Sequence, residues 1–543
     1  MPCPLGTICL IINNEFSEKW VLVIDDMEAM RSQLRMALSS SGFAKLHVVG
    51  NIKDALERMS GNRYDVILCD YALGDSTDGQ QFLEYLRTSD LISRNTIFVM
   101  ITAEQAYEKV MAASECAPDD YLLKPFTAAQ FNARLEKLME KQAYFAPIDK
   151  ATDAKNWASA IAECDKKLSS RDKYFFELCK IKGSALMRDN CPQQAADLFR
   201  ELLLLRPLGW AKLGLARALA SLDQKDEAMM LAKDLIANTP QFMAVYDFLG
   251  KLLSSTGDKQ AALEILQKAR ELSPGTMSRI RELSSLAVSS GKPEIAEAVM
   301  TQALQKNKYS PVIQVNDFAV LSKALVNQGK AVEAMVVVAE AKKSFKDEQS
   351  KIVLATSESM AYRAAGNITL AETALMKALS SQDLSKLSAQ AVISLAEACF
   401  AMGKEKEAME FLRHAIQNNQ EDLIIKDKVH QALTGSGKGS LEASAMIEKI
   451  TQEVIQLNNE GVRKAEAGQL EEASELLCKA ANRLPNNLQI VGNAALVIAL
   501  DLVRNGKIPQ KLAKCLHYRE ALQKKSPNHP KLLQIDSLLK QLK

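Results

Sequence analysis

The sequence predicts a multidomain protein, in which an α/β domain with a parallel sheet precedes a long all-α repeat region. In the N-terminal part, short apolar runs alternate with helical patterns, as in parallel βαβ units. Farther along, Ala228, Ala262 and Ala296 recur with a spacing of 34 residues, which is typical of stacked helix-turn-helix repeats. A chain of 543 residues is also longer than one hydrophobic core usually organises.

The predicted α/β domain contains five strands and five helices in alternation. Its most apolar runs are Val21–Ile24, Val66–Cys69, Ile97–Ile101 and Tyr121–Leu123. Runs of this kind are typical of strands that are buried on both faces of a sheet. We predict strands at about 20–25, 46–49, 65–70, 96–101 and 119–123, and helices at about 27–40, 52–60, 78–89, 104–114 and 127–141.

Polar residues follow the apolar runs at the point where each strand ends. They are Asp25, Asp26, Asp70, Thr102 and Lys124. Because the carboxyl ends of parallel strands meet at one edge of a sheet, we expect these side chains to converge there. Three carboxylates suit a hard divalent cation, whereas the ammonium and hydroxyl groups suit a bound phosphoryl group. Each motif alone has a simpler interpretation as a helix N-cap or a turn, so the prediction rests on the whole set.

The order and spacing of these residues resemble the receiver domain of two-component response regulators, over about residues 19–142. The resemblance implies a doubly wound, flavodoxin-like sheet with strand order 2-1-3-4-5. It also implies that Asp70 is the phosphoacceptor and that Asp25, Asp26 and Asp70 hold Mg²⁺ together with the backbone carbonyl of Ala72.

The same resemblance assigns roles to four further residues. Lys124 pairs with Asp70 or with a phosphoryl oxygen, and the Thr102 hydroxyl donates to that oxygen and moves toward it. Tyr121 is the aromatic switch residue, although a half-buried strand tyrosine is the alternative interpretation. Pro125 follows a cis peptide bond that aims Lys124.

The repeat region contains one nearly complete unit, which ends at Pro274. Its characteristic residues are Tyr246, Leu249, Gly250, Leu253, Gly257, Ala262, Leu266 and Ala269. This pattern resembles the tetratricopeptide repeat, a helical hairpin of about 34 residues whose stacked copies form a superhelical solenoid. The resemblance implies that the repeats bind extended peptides or partner helices.

These patterns divide the chain into five segments. The polypeptide Gly435–Ser440 looks like a phosphate-binding loop, but it lacks the required strand and spacing, so a linker between helices is favoured. Tyr144, Phe145 and Ile148 make the segment between the domains too apolar for a free tether, and we expect them to pack. The segments are an extension at 1–18, the receiver domain at 19–142, a linker at 143–151, repeats at 152–485 with a degenerate unit at about 421–450, and a helical cap at 486–543.

The leading interpretation is a response regulator whose output is protein binding by the repeats. The alternative is a repeat scaffold whose receiver serves as a phosphate sink or a dimerisation module. Neither a DNA-recognition helix nor a motif for an enzymatic output domain is evident. We therefore expect a histidine kinase or phosphotransfer protein and an unknown protein partner, with a receiver homodimer left open.

Composition sets further limits on function and location. The formal net charge is +2, which gives no sign of nucleic-acid binding. No apolar run reaches the length of a membrane span, and ten scattered cysteines without a C-x-x-C pair favour a reduced environment. A cytoplasmic protein without an enzymatic activity of its own, apart from phosphotransfer and dephosphorylation, is the expectation.

Overall fold

The protein is described by a computed structural model, in which two compact units are distinguished. The described residues are 16–73, 78–89, 91–103, 117–308, 310–380, 387–419, 422–506, 508–526 and 530–542. One unit comprises Met1–Leu286 with Val299–Gln314, and the other comprises Ala287–Ala298 with Val315–Lys543. The predicted receiver and the first repeats therefore belong to the same compact unit.

Within the described residues, the N-terminal domain contains a five-stranded parallel sheet. The order is β2-β1-β3-β4-β5, which confirms the predicted 2-1-3-4-5 arrangement. Every adjacent pair is parallel, as expected for strands joined by helical crossovers. The strands are β1 (Trp20–Ile24), β2 (Lys45–Val49), β3 (Val66–Asp70), β4 (Ile97–Thr102) and β5 (Asp120–Leu123).

Helices cover both faces of this sheet, and alternate residues of each strand point to opposite sides. On β1, Val21 and Val23 contribute to one apolar core, whereas Leu22 and Ile24 contribute to the other. The first core is covered by α1 (Glu28–Ser40) and α4 (Ala128–Asp153), and the second by α2 (Ile52–Gly61) and α3 (Gly79–Thr88). The helix predicted at 104–114 lies outside the described residues.

The helix predicted at 127–141 extends farther than expected, because α4 continues through the predicted linker at 143–151 to Asp153. Pro147 lies inside this helix without ending it. The expectation that this segment packs is confirmed, since Phe145 and Ile148 are buried in a cluster with Cys164 and Leu178. Tyr144 joins the edge of that cluster and donates a hydrogen bond of 2.6 Å to Asp172. The receiver is thus joined to the repeats by one helix.

The chain continues with a series of helix pairs that belong to the first unit, except for Ala287–Ala298 of the last pair, which belong to the second. The repeats were predicted to begin at 152, but residues 152 and 153 end α4 and the next helix begins at Trp157. The helices are α5 (Trp157–Leu168), α6 (Phe175–Arg188), α7 (Pro192–Leu205), α8 (Gly209–Ser221), α9 (Lys225–Asn238), α10 (Met243–Ser255), α11 (Lys259–Leu272), α12 (Met277–Ser289) and α13 (Pro293–Lys306).

Small residues let neighbouring helices approach closely in these pairs. The Phe199 ring of α7 is enclosed by Gly183 of α6 and Gly214 of α8. A Cβ atom added at either glycine would lie 2.4 Å or 2.5 Å from the ring, closer than van der Waals contact allows. Gly250 meets Leu266 in the same way, at 2.8 Å. Gly250 of the repeat pattern is therefore a site of close helix contact, whereas Gly257 has a positive φ of 91° in the turn between α10 and α11 and has nothing within 4 Å of a Cβ position.

The second unit contains the remaining helix pairs and one departure from the expected pattern. Residues 440–466 form a single long helix, so the degenerate unit expected at 421–450 is not closed by a helix break near its end. The helices are α14 (Val315–Asn327), α15 (Ala331–Ser344), α16 (Glu348–Ala364), α17 (Ile368–Leu379), α18 (Ala389–Ala401), α19 (Glu405–Asn418), α20 (Leu423–Gly435), α21 (Ser440–Glu466), α22 (Leu470–Arg483), α23 (Leu488–Asn505), α24 (Pro509–Lys525) and α25 (Pro530–Lys540).

Two segments of this unit bear on functions that the sequence disfavoured. The glycine-rich loop joins α20 to α21, and Lys438 Nζ lies 2.7 Å from Glu405 Oε1, as expected for a linker. Among the described residues, α23 has the length and hydropathy of a membrane span. Of its 18 residues, 61% are buried inside the protein. It packs in the apolar core of the C-terminal helices, as a core helix of a helical repeat does.

The Phe199 packing can be tested with Gly214→Ala. We expect this change to lower the free energy of unfolding by about 1–3 kcal/mol, because the added methyl group meets the ring. Phe199→Leu shortens the facing side chain and should make the double variant more stable than the two separate effects predict. Gly61→Ala is the control, since nothing lies within 4 Å of a Cβ atom there. Equal urea midpoints for Gly214→Ala and wild type would contradict this account.

Candidate functional site

The strand ends converge as the sequence predicts. Ile24 is level with Cys69, so Asp25 and Asp70 follow directly on neighbouring strands. Asp70 is level with Ile101, and Thr102 is level with Leu123, the residue before Lys124. The register of the parallel sheet therefore brings Asp25, Asp70, Thr102 and Lys124 to one edge.

Three carboxylates form a cluster at this edge. One ligand oxygen each from Asp25, Asp26 and Asp70 lies within 4.8 Å of the others. Asp25 is 0% exposed and Asp70 is 6% exposed, whereas Asp26 is open to solvent. Two acids are therefore held out of water, and the third closes the cluster from the solvent side.

Lys124 supplies a positive charge between the two buried acids. Its Nζ atom lies 3.0 Å from Asp25 Oδ2 and 3.1 Å from Asp70 Oδ2. Burial alone would lower the pKa of Lys124, but its hydrogen bonds with Asp25 and Asp70 and their charges outweigh that effect and raise it. Lys124 is therefore a firmly protonated cation within hydrogen-bond distance of the predicted phosphoacceptor.

The electrostatic environment of Asp70 is balanced between opposing effects. Burial raises its pKa, and the charge and hydrogen bond of Lys124 oppose this increase. The neighbouring charges of Asp25 and Asp26 raise the pKa further. The net direction is upward, so a carboxylate at this position gains from any additional cation placed among the three acids.

The other predicted site residues lie as follows. Thr102 is 2% exposed at the end of β4, and Tyr121 is half-buried on β5, level with Met100. The peptide bond between Lys124 and Pro125 is cis, as predicted. Ala72 is exposed two residues beyond Asp70, and the role of its carbonyl as a metal ligand stays a prediction.

Sequence reasoning missed the residue that fixes the backbone beside the acids. Arg31 Nη1, on α1, donates to the carbonyl oxygens of Asp25 and Asp26, at 2.8 Å each. The Met27 backbone N–H donates to Asp25 Oδ1 at 2.8 Å and orients that carboxylate. An arginine one turn into the helix that follows the acid pair is the signal that could have identified this support.

Gly79 is a second position that sequence reasoning left without a role. It begins α3, and a Cβ atom there would lie 2.5 Å from the Asp70 carbonyl oxygen and 2.7 Å from Met100 Sδ. Its backbone N–H donates to the Tyr71 carbonyl oxygen at 2.8 Å. The start of α3 is therefore packed directly against the backbone of the candidate phosphoacceptor.

The donor set fits a hard divalent cation. The three acids offer only oxygen ligands, which is the chemistry that Mg²⁺ prefers in proteins. Two of these acids are buried around one lysine, so an added cation would compensate negative charge that the protein itself leaves in excess. Asp25, Asp26 and Asp70 are the side chains that would hold it.

Comparison with known families agrees with both parts of this architecture. Residues 21–136 match the family described as response regulator receiver domain. Residues 244–276 and 357–422 match two families described as tetratricopeptide repeat. The chain therefore carries an N-terminal response regulator receiver domain followed by tetratricopeptide repeats.

Individual proteins are similar to parts of the chain. The chain is similar to chemotaxis protein CheY-3 of Vibrio cholerae, with 26% identity over 22% of this chain and 92% of the relative. It is similar to chemotaxis protein CheY of Pseudomonas aeruginosa, with 25% identity over 22% of this chain and 96% of the relative. A solved tetratricopeptide repeat protein from Parabacteroides merdae shows 12% identity, a TM-score of 0.36, and coverage of 48% of this chain and 98% of that one.

Metal binding can be tested through its effect on stability. We expect Mg²⁺ at ten times its dissociation constant to raise the free energy of unfolding by about 1.4 kcal/mol. Asp26→Asn should remove most of this gain, because Asp26 is exposed and contributes a ligand oxygen with little role in packing. Glu57→Gln, an exposed acid on α2, is the control. A Mg²⁺ response in Asp26→Asn equal to that of wild type would contradict the assignment.

Proposed function

We propose that this protein is a phosphorylation-controlled response regulator that signals through protein binding by its repeats. The observation that carries the proposal is the position of Lys124 Nζ between two buried carboxylates at the carboxyl edge of a receiver sheet. Burying these charged groups costs desolvation free energy, and the fold gives no evident reason for it. The arrangement does suit a site that receives a phosphoryl group.

In the proposed reaction, an Asp70 carboxylate oxygen attacks the phosphorus atom of a phosphohistidine on a kinase or phosphotransfer protein. The P–N bond breaks, an acyl phosphate forms on Asp70, and the imidazole of the partner leaves with the electron pair of that bond. A Mg²⁺ ion bound by Asp25, Asp26 and Asp70 would compensate the charge on the transferring oxygens. The Ala72 carbonyl is proposed as a further ligand.

The protein groups around Asp70 have separate roles in this proposal. Lys124 Nζ lies 3.1 Å from Asp70 Oδ2 and pairs with a phosphoryl oxygen once the group is attached. The Thr102 hydroxyl, at the end of the neighbouring strand β4, donates a hydrogen bond to another phosphoryl oxygen. Tyr121 then changes its packing on β5, so the modification shifts a population between two arrangements.

The output of the protein is proposed to be binding rather than chemistry. The matched repeats imply contact with other proteins, and we propose that the chain catalyses only its own phosphotransfer and dephosphorylation. The partners are a histidine kinase or phosphotransfer protein at Asp70 and a protein ligand at the repeats. A cytoplasmic location follows from this choice of partners and belongs to the same proposal.

Phosphorylation of Asp70 can be tested with a small phosphodonor. We expect one acid-labile phosphate per chain in the presence of Mg²⁺, none in Asp70→Asn, and none in excess chelator, as judged by intact mass. Thr102→Ala should still accept the phosphate, because its hydroxyl is proposed to respond to the group without attacking it. Asp119→Asn is the control acid, since Asp119 accepts a hydrogen bond from the Phe98 N–H at 2.8 Å, away from the cluster.

Two results would contradict the proposal. One is a phosphate that persists in Asp70→Asn, which would assign the acceptor to another residue. The other is full modification in chelator, which would remove the proposed cation from the reaction. Modification of Asp70 with no change in binding by the repeats would instead favour the scaffold whose receiver is a phosphate sink.

A further inference from the structure

Helix α3 of the receiver contacts the repeats of the same compact unit through two polar side chains. Gln81 Nε2 donates to the Gly275 carbonyl oxygen at 3.0 Å. One turn farther along, Glu84 Oε1 accepts a hydrogen bond of 3.0 Å from Ser278 Oγ at the start of α12. Residues three positions apart lie on the same face of a helix, so one face of α3 makes both contacts.

Both polar atoms of the Gln81 side-chain amide make hydrogen bonds, Nε2 to the repeats and Oε1 within α3. Its Oε1 atom accepts from the Asp78 backbone N–H at 3.3 Å, while Asp78 Oδ1 accepts from the Gln81 N–H at 2.7 Å. This reciprocal capping box orients the amide and leaves Nε2 directed at the repeats. The side chain is only 7% exposed, so its hydrogen-bonding capacity is satisfied by these partners rather than by bulk water.

The repeat side of the contact is shaped to receive a helix face. A Cβ atom at Gly275 would lie 3.2 Å from Gln81 Nε2, so the absence of a side chain admits the amide. Arg279 is 4% exposed and is held by Asp247, with Nε and Nη2 contacts of 2.6 Å and 2.9 Å, and by the Ser273 carbonyl oxygen at 3.1 Å. These contacts fix the position of the buried guanidinium, and the Asp247 carboxylate balances its charge.

Charged groups lie on both sides of the contact. Burial raises the pKa of Glu84, the Ser278 hydrogen bond and the Arg279 charge oppose that increase, and the Asp247 charge adds to it. Burial likewise raises the pKa of Asp78, and its hydrogen bonds with the backbone and the charge of Lys306 oppose it. Glu84 therefore faces the ion pair of Arg279 and Asp247 and accepts the Ser278 hydrogen bond, and a helix face without a carboxylate at this position would lack that hydrogen bond and the attraction of Arg279.

We propose that the surface formed by Gly275, Ser278 and Arg279 is a helix-binding site of the repeats. It is occupied here by α3 of the receiver, and it accepts a partner helix that carries an amide and a carboxylate three residues apart. The receiver helix and the partner helix compete for this surface. The site itself does not depend on phosphorylation, whereas its control by Asp70 rests on the proposed function, through the contact of Gly79 with the Asp70 carbonyl oxygen.

The occupied state is tested in the full chain by amide hydrogen exchange. Glu84→Lys brings a positive charge toward Arg279, and we expect residues 275–282 to exchange at least tenfold faster than in wild type. Ser278→Ala removes the hydroxyl that donates to Glu84, and it should also speed the exchange of residues 275–282, by a smaller factor. Glu57→Lys makes the same charge change on exposed α2 and should leave these residues unaltered. Unchanged exchange in both Glu84→Lys and Ser278→Ala would overturn the proposal.

Competition is tested with a helix-stabilised peptide that copies residues 78–89. We expect the peptide to bind the Glu84→Lys chain at least tenfold more tightly than wild type, because the internal helix no longer fills the site. A peptide with alanine at the positions of Gln81 and Glu84 should not bind. Equal affinity for the two chains, or no binding to either, would overturn the proposal. Phosphorylation of Asp70 is measured separately by mass, so failure here is distinguishable from failure of the proposed function.

Discussion

The arrangement of this protein depends on holding two carboxylates out of water around a single ammonium group. Asp25 and Asp70 are buried, and Lys124 lies within 3.1 Å of both. Removing one member of such a group leaves an uncompensated buried charge, which is strongly unfavourable. The strand register, the Arg31 hydrogen bonds and the close start of α3 all serve to maintain this geometry. A change of charge at Asp70 would therefore alter the electrostatic balance that these surrounding elements maintain.

Two elements join the receiver to the repeats within one compact unit. Helix α4 is continuous from the receiver into the junction, where Phe145 and Ile148 are buried against the first repeat helices. Helix α3 begins beside the Asp70 backbone, and its residue Glu84 accepts a hydrogen bond from Ser278 of the repeats. A continuous helix and a separate polar contact therefore link the receiver to the repeats, and loss of the polar contact would leave the domains joined.

The strands and the acid cluster could be predicted because they depend on local patterns, whereas the sheet order 2-1-3-4-5 was implied by the resemblance to receiver domains. Buried parallel strands read as continuous apolar runs, and the residues after them are brought together by topology alone. The contacts of Arg31 and Gln81 depend on side-chain direction and on packing between distant segments, so they could not be predicted in this way. The last receiver helix was predicted to end at about 141, whereas it continues to Asp153, where Phe145 and Ile148 pack against helices distant in sequence.

We propose that a phosphoryl group on Asp70 alters the contact between the receiver and the repeats. The most direct measurement is amide hydrogen exchange of the full chain before and after phosphorylation with a small donor and Mg²⁺, with Asp70→Asn treated in parallel. We expect the amide hydrogens of α3 and of residues 275–282 to change their exchange rates in the phosphorylated chain. We expect no change in Asp70→Asn. Changes confined to β4, β5 and the residues beside Asp70, with 275–282 unaltered, would contradict it.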